Sequence, residues 1–273
     1  MPPIAMRIAY VGTRYRGYQR QPGGKTVEDQ LEKALRETGT IKSLRDAGYS
    51  CSGRTDRGSH AICQIVRIET EMDEPGGSWL SMLNFRLPRD IVVLGARVVP
   101  ETFDPRRDAV LREYTYYQPK LSPLDLDTMR KGAELLIGTH SFHNFSKAER
   151  GRCPVRTIYG ITIEDLGAAL EYRIRAKSFL WKMVRKIVTA LHQLGTGRLG
   201  LEEVKKMLEP GYTARPGLEP QPPQGLVLTR VEYPDVFIPV DIAAEKRFKK
   251  YLFSEVSHGL GLHLALQAML KKL

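Results

Sequence analysis

Gly53-Arg54-Thr55-Asp56-Arg57-Gly58-Ser59-His60 runs directly into Ala61-Ile62-Cys63-Gln64-Ile65-Val66-Arg67-Ile68, so that a carboxylate sits in a glycine-bracketed turn at the mouth of an alternating stretch. Alternation predicts a β-strand over 61–68. Arginines flank Asp56, and nearby positive charge keeps such a carboxylate ionised. Gly53 and Gly58 let the backbone bend tightly and approach a bulky ligand. Taken alone, the loop also fits an Asp that caps its own turn and pairs with a neighbouring arginine. The rest of the chain decides between a turn and a site.

Outward from this loop, strand and helix patterns mix throughout. Residues 7–15 have strand character. Residues 26–37 read as a helix, with Thr26 as N-cap, acidic residues in the first turn, Gly39 as the stop, and Val27, Leu31, Ala34 and Leu35 at helical spacing. Further strands are expected at 91–99, 110–118, 156–164, 169–177 and 226–233, with helices at 125–137 and 179–194. The order strand, helix, strand, strand recurs in both halves, which predicts two related α+β modules sharing a sheet rather than a doubly wound parallel fold. The seam is placed near Pro105, giving modules 1–105 and 106–234 and a helical extension over 235–273. In that tail Leu260, Leu264, Leu266 and Leu270 read as packing residues, against the body or a partner subunit.

With 273 residues and 42% hydrophobic content, the chain can bury a sizeable core. Its formal charge of +11 favours a polyanionic partner. Residues 173–201 contain seven lysines and arginines without an acid, and 7–25 is a second acid-free stretch. Tyr10, Tyr15, Tyr18, Phe179 and Trp181 are interleaved with these basic runs. Cations with aromatics suit RNA, whose phosphates need charge and whose unstacked bases need a platform. No segment approaches the roughly 20 apolar residues that span a bilayer. The start, Met1-Pro2-Pro3-Ile4-Ala5-Met6, has no charged region followed by an apolar stretch, so a cytoplasmic protein is expected. Cys51, Cys63 and Cys153 fit a reducing compartment and read as small buried or half-buried side chains.

Gly195-Thr196-Gly197-Arg198-Leu199-Gly200 matches a dinucleotide fingerprint in letters, but it follows a predicted helix where that fingerprint must follow a strand. It reads as a helix stop. There is no Walker A pattern, no H-E-x-x-H and no cluster of metal ligands, so no cofactor and no metal are expected.

Several separated segments together resemble the TruA family of tRNA pseudouridine synthases. They are Gly53-Arg54-Thr55-Asp56 with Gly58 and His60-Ala61; Arg112-Glu113-Tyr114-Thr115-Tyr116; Phe179 through Val188; Pro223-Gln224-Gly225-Leu226-Val227-Leu228; and the histidine and phenylalanine loop Gly138-Thr139-His140-Ser141-Phe142-His143-Asn144-Phe145. With Tyr10 to Gln19, the likeness runs from about Arg7 to Tyr233. It implies a mixed, largely antiparallel central sheet with flanking helices and a positively charged cleft between the modules. It also implies isomerisation of uridine in tRNA, at positions 38 to 40 of the anticodon arm, by a homodimer that uses no cofactor and acts on no DNA or membrane.

The resemblance assigns roles residue by residue. Asp56 matches the catalytic aspartate, acting as nucleophile or as the base that removes a ribose proton, a choice the sequence leaves open. Arg54 matches the arginine that displaces the target base from its stack. Tyr114 matches the tyrosine that stacks on the flipped uracil. Periodicity alone reads it as a core aromatic and does not separate it from Tyr116, two residues on and on the same face. On a helical wheel Arg185 falls off the apolar stripe, as a solvated arginine would, whereas the family pairs this arginine with the aspartate. Leu226 matches an apolar contact to the base, although a buried strand leucine looks identical. Arg57 and His60 are grouped with substrate binding, and His140 and His143 read as loop-shaping or RNA-facing residues rather than general acids.

The chain departs from the family pattern at Ser59, where an apolar residue is common, at Ser141, where an acid or amide is usual, and at Thr115, where a basic residue often stands. Alternatives are a pseudouridine synthase for other tRNA or RNA sites and a catalytically silent tRNA-binding module. An Asp-based glycosidase needs two opposed carboxylates, and Glu113 should point away from the Tyr114 face.

Overall fold

Thr26 opens the first helix with a reciprocal capping box: its side chain accepts from the Asp29 N–H, and the Asp29 carboxylate accepts from the Thr26 N–H at 2.9 Å. The helix closes at Gly39, whose left-handed φ of +68° glycine adopts at least cost. The computed structural model that shows this describes residues 3–72 and 74–270. Its strands are β1 (Pro3–Tyr10), β2 (Ser50–Cys51), β3 (His60–Glu69), β4 (Ile91–Val98), β5 (Leu111–Pro119), β6 (Gly138–Ser141), β7 (Val155–Asp165), β8 (Ala169–Ala176) and β9 (Leu226–Glu232). The α-helices are α1 (Val27–Glu37), α2 (Gly77–Arg86), α3 (Leu126–Leu136), α4 (Met183–Gly195), α5 (Leu201–Leu208) and α6 (Ile242–Leu270).

All nine strands form one open sheet in the order β4-β1-β3-β9-β5-β8-β7-β6, with β2 on β3. Every pairing is antiparallel except β3 with β9, which pair in parallel over His60↔Val227 and Ala61↔Leu228. The sheet is thus mixed and mostly antiparallel, and the fold is α+β. That short parallel joint brings the strand following the Asp loop against the last strand of the chain.

Alternation divides the two faces of the sheet. Ile8, Ile91 and Val93 enter the main core with Leu31 and Leu35 of α1. Ala9, Val92 and Leu94 point the other way and pack on Ala244 and Phe248 of α6. The body therefore holds α6 through its first turns, while Leu260 is exposed and the side chains of Leu264, Leu266 and Leu270 lie outside the described residues. No helix among the described residues is long and apolar enough to cross a membrane.

The structure corrects several expectations. The first strand stops at Tyr10 and gives way to a 3-10 turn over Gly12–Arg14. There the chain runs so close to the Asp loop that a Cβ on Gly12 would lie 1.8 Å from the Ser59 carbonyl oxygen. The helix expected from residue 179 begins only at Met183, because Lys182 adopts a left-handed φ of 62°. The expected stop at Gly195 holds, with Gly197 at φ +70°. α2 and α5 carried too few turns of apolar spacing to be read from sequence. Cys153 is exposed, unlike Cys51 and Cys63.

Candidate active site

The loop bearing Asp56 is held from below at nearly every residue. Arg112, buried on β5, donates from Nε and Nη2 to the Ser52 carbonyl at 2.9 and 2.7 Å and from Nη1 to the Lys177 carbonyl. Burial lowers its pKa from the ordinary arginine value, and carbonyls rather than a carboxylate answer its charge. Gln64, fully buried on β3, donates to the Gly53 carbonyl at 2.6 Å and accepts from the Ser52 hydroxyl. Thr55 is tied to the Tyr10 hydroxyl at 2.7 Å, and its carbonyl accepts from the Tyr18 N–H. Asp56 closes its own turn by accepting from the Ser59 N–H at its carbonyl, and Gly58 takes φ +84°. Its side chain is left free to face outward.

That carboxylate does not pair with its sequence neighbours. Arg54 and Arg57 are both exposed, and the ion pair comes from α4, where Arg185 Nη1 lies 2.6 Å from Asp56 Oδ2. Arg185 is only 8% exposed, although it lies off the apolar stripe of its helix. The segment before β9 covers it: Arg185 Nε donates to the Gln221 carbonyl at 2.5 Å, and Gln221 N–H returns a bond to the Arg185 carbonyl. A second donor to the carboxylate has no counterpart among the sequence expectations. Trp181 Nε1 lies 3.0 Å from Asp56 Oδ1.

Tyr114 and Tyr116, inseparable by pattern, differ in their hydroxyls. Tyr116 donates to the Pro222 carbonyl at 2.8 Å, and its ring and the Tyr117 carbonyl leave no room for a Cβ on Gly225, so it builds the turn before β9. Tyr114 packs edge-on against Phe179, and its hydroxyl lies beside Gly53. Burial pushes its pKa up to about 12, with Arg112 opposing and the Asp56 charge adding to the rise, so the phenol stays neutral next to the carboxylate. Leu226 is buried at the start of β9, opposite Tyr116. Thr115 is buried on the other face, with its hydroxyl on that of Thr229. Thr229 also donates to Glu113, whose carboxylate is thereby placed away from Asp56.

The histidines are used by the backbone. His60 Nδ1 accepts from the Gly12 N–H at 3.1 Å, so Nε2 carries the proton donated to the Gln224 carbonyl at 3.0 Å. His60 therefore joins the end of β1 to the turn before β9, and it has no ring nitrogen left for a substrate. His143 likewise accepts from Ser141 and donates to the Tyr212 carbonyl, while Asn144 binds the Met207 and Tyr212 carbonyls and the Ala214 N–H. The histidine and phenylalanine loop thus shapes the fold around 207–214.

Of the residues missed by sequence, Gln64 left a signal as the polar interruption of an otherwise apolar strand. Arg112 and Trp181 left one only as members of family-like segments, and periodicity put Trp181 on a helix it does not join. The assembled site is an anion clamped by a buried guanidinium and an indole, beside a neutral tyrosine, under exposed Arg54, Arg57, Lys147 and Lys177.

Known proteins resemble this chain over most of its length. A family described as tRNA pseudouridine synthase matches residues 133–234. The chain is 41% identical over 90% of its length, and 90% of the relative's, to tRNA pseudouridine synthase A of Pyrococcus abyssi. It is 41% identical to the Methanosarcina acetivorans protein of that name, with 84% of each chain covered, and 37% identical to the Thermococcus kodakarensis one, with 94% of each covered. A solved Cbf5-Nop10-Gar1 complex is matched over 82% of this chain and 48% of its own, at 13% identity and a TM-score of 0.38. With relatives this similar over nearly its whole length, the chain belongs to the TruA family of tRNA pseudouridine synthases.

Proposed function

We propose that the chain converts uridine to pseudouridine at positions 38 to 40 of the tRNA anticodon arm, with Asp56 as the reacting carboxylate. Membership of the family makes it an isomerase acting on uridine in tRNA; the positions and the residue roles are the finer reading. The observation that carries it is the Arg185–Asp56 pair at 2.6 Å, which fixes an ionised carboxylate at an open face beside Tyr114. The target nucleotide must leave its stack to reach that face. Arg54 takes its place or its phosphate, Tyr114 lies against the uracil, and Leu226 lines the apolar side.

Asp56 then acts on the sugar, either at C1′ as nucleophile or on a ribose proton as base. The N1–C1′ bond breaks and the uracil rotates; C5 then bonds to C1′ as the Asp56–C1′ ester breaks or, in the other route, as the ribose proton is returned, and the C5 proton leaves while N1 takes one up. Atoms of the nucleoside are conserved apart from that exchanged proton. Arg185 holds and aims the carboxylate through a charge-assisted hydrogen bond. Arg57 at the loop rim meets backbone phosphate, whereas His60 supports the site through the backbone.

The proposal includes modules 1–105 and 106–234 meeting at the β3–β9 joint, a helical extension over 235–273, a homodimer in which tRNA spans both subunits, and a cytoplasmic location. The test is tritium release from tRNA transcripts carrying C5-labelled uridine, with single uridines at 38, 39 or 40 replaced in turn. Release by the wild-type protein, lost in Asp56→Asn with tRNA affinity within a few-fold, is expected. Tight tRNA binding without release from either protein would instead identify a silent binding module.

A further inference from the structure

Trp181 stands just ahead of α4 and outside it. The left-handed Lys182 turns the chain between them, so that the indole folds back onto Asp56 and its N–H reaches Oδ1 at 3.0 Å. A lysine in that backbone region is strained, and such strain persists where the surroundings enforce it. Here they do. The Trp181 carbonyl accepts from the Lys147 N–H at 2.9 Å, and the Lys147 ammonium lies 4.3 Å from the ring centroid. Trp181 remains 41% exposed, so core packing does not account for its placement.

The two donors to Asp56 are unequal. Arg185 brings a charged, short contact to Oδ2 and the indole a neutral, longer one to Oδ1. Charge-assisted hydrogen bonds are roughly twice as strong as neutral ones, so Oδ1 is the less engaged oxygen and the one available to the sugar. A carboxylate held at one oxygen can still swing about its Cβ–Cγ bond. A second donor at the other oxygen fixes its plane.

Resting on Asp56 as the reacting carboxylate, we infer that Trp181 is a positioning residue for the isomerisation: its indole N–H aims Asp56 Oδ1 at the ribose of the flipped uridine, and Lys147 braces the indole. Trp181→Phe keeps a ring under Lys147 and removes the donor. Trp181→His restores a donor, because imidazole Nε2 lies two bonds from Cγ, as indole Nε1 does. At pH 8 that imidazole is neutral and keeps one N–H, which the carboxylate draws to Nε2.

Single-turnover rates at saturating tRNA and tRNA dissociation constants are measured for wild type, both Trp181 variants and Asp56→Asn. For Trp181→Phe the rate is expected to fall about 10- to 100-fold with Kd changed by less than about twofold, as loss of alignment alone produces. Trp181→His should return to within about fivefold of wild type, since the restored donor can again aim the carboxylate. The inference is overturned by a wild-type rate in Trp181→Phe, by equal losses in both variants, or by a loss confined to Kd, which would make the ring an RNA-stacking surface. Activity retained in Asp56→Asn would instead sink the reading of Asp56 itself, whatever the Trp181 variants do.

Discussion

Arg185 meets Asp56 through one nitrogen only: Nη1 holds the carboxylate at 2.6 Å while Nε is occupied by the Gln221 carbonyl. The guanidinium is thus a bracket between the segment before β9 and the Asp loop, two regions that share no sequence proximity. Its planar fork sets the distance between the two bonds, and this makes the position intolerant of lysine.

Arg185→Lys keeps the charge and loses the fork. An ammonium can reach Asp56 or Gln221, and its flexible stem fixes neither direction. A fall in turnover of about 100-fold or more is expected, comparable with removing one preorganised electrostatic contact, with tRNA affinity nearly unchanged. Pre-steady-state rates and filter binding on one tRNA check it, and a loss mainly in affinity would assign Arg185 to RNA contact.

His60 makes stability depend on acid. Burial lowers its pKa below the ordinary imidazole value, with the Gln224 carbonyl opposing, and protonation at Nδ1 would abolish the bond accepted from Gly12. The unfolded chain therefore binds this proton more readily. The contribution of His60 is complete above the unfolded value of about 6.5 and is lost as pH falls through the lower folded value. His192 is shifted in the same direction, so a variant isolates the His60 share. Denaturant midpoints from pH 8 to 5 should fall less steeply for His60→Gln than for wild type. Parallel slopes would show that His60 is not the titrating clamp.

Ser59 departs from the family pattern and bears a physical cost. Its hydroxyl is buried, and its Oγ has no hydrogen-bond partner among the described residues. Removing an unpaired buried hydroxyl recovers its desolvation, so Ser59→Ala should be neutral or stabilising by up to about 1 kcal/mol. Urea unfolding measures it, and destabilisation beyond about 1 kcal/mol would reveal a partner for Oγ.

The parts of this molecule legible in sequence are those encoded locally. Thr26 and Asp29 announce the start of α1 because both members of the capping box lie within four residues, and the strand after Asp56 follows from alternation. The Asp56–Arg185 pair spans 129 positions, so no spacing rule reaches it, and only the family resemblance brought the two together. Burial of Arg185 depends on a Pro-rich loop whose path the sequence does not state. Trp181 was hidden by a single backbone angle: a helix over 179–194 takes it as one more helical residue, whereas the left-handed Lys182 leaves it outside α4. His60 is used by the backbone at both ring nitrogens, and a polar residue beside the Asp loop looks the same in sequence whether it faces a ligand or bonds the backbone.

Lys177 is exposed just past the end of β8, and Lys182 precedes α4 with its ammonium 5.6 Å from the Trp181 ring centroid. Removing a lysine that neutralises one phosphate lowers the slope of log affinity against log salt by about one unit for duplex-like charge density, with affinity reduced for every sequence alike. Lys177→Ala removes an exposed side chain and leaves in place the carbonyl that accepts from Arg112. For Lys182 the replacement is Asn, which tolerates the left-handed backbone at φ 62° and so preserves the turn that delivers Trp181. Both variants should bind cognate and unrelated tRNAs more weakly, with a flatter salt dependence measured between about 50 and 200 mM monovalent salt. An unchanged slope would mean that these lysines do not meet phosphate, and that the basic rim engages RNA through Arg54, Arg57 and Lys147 instead.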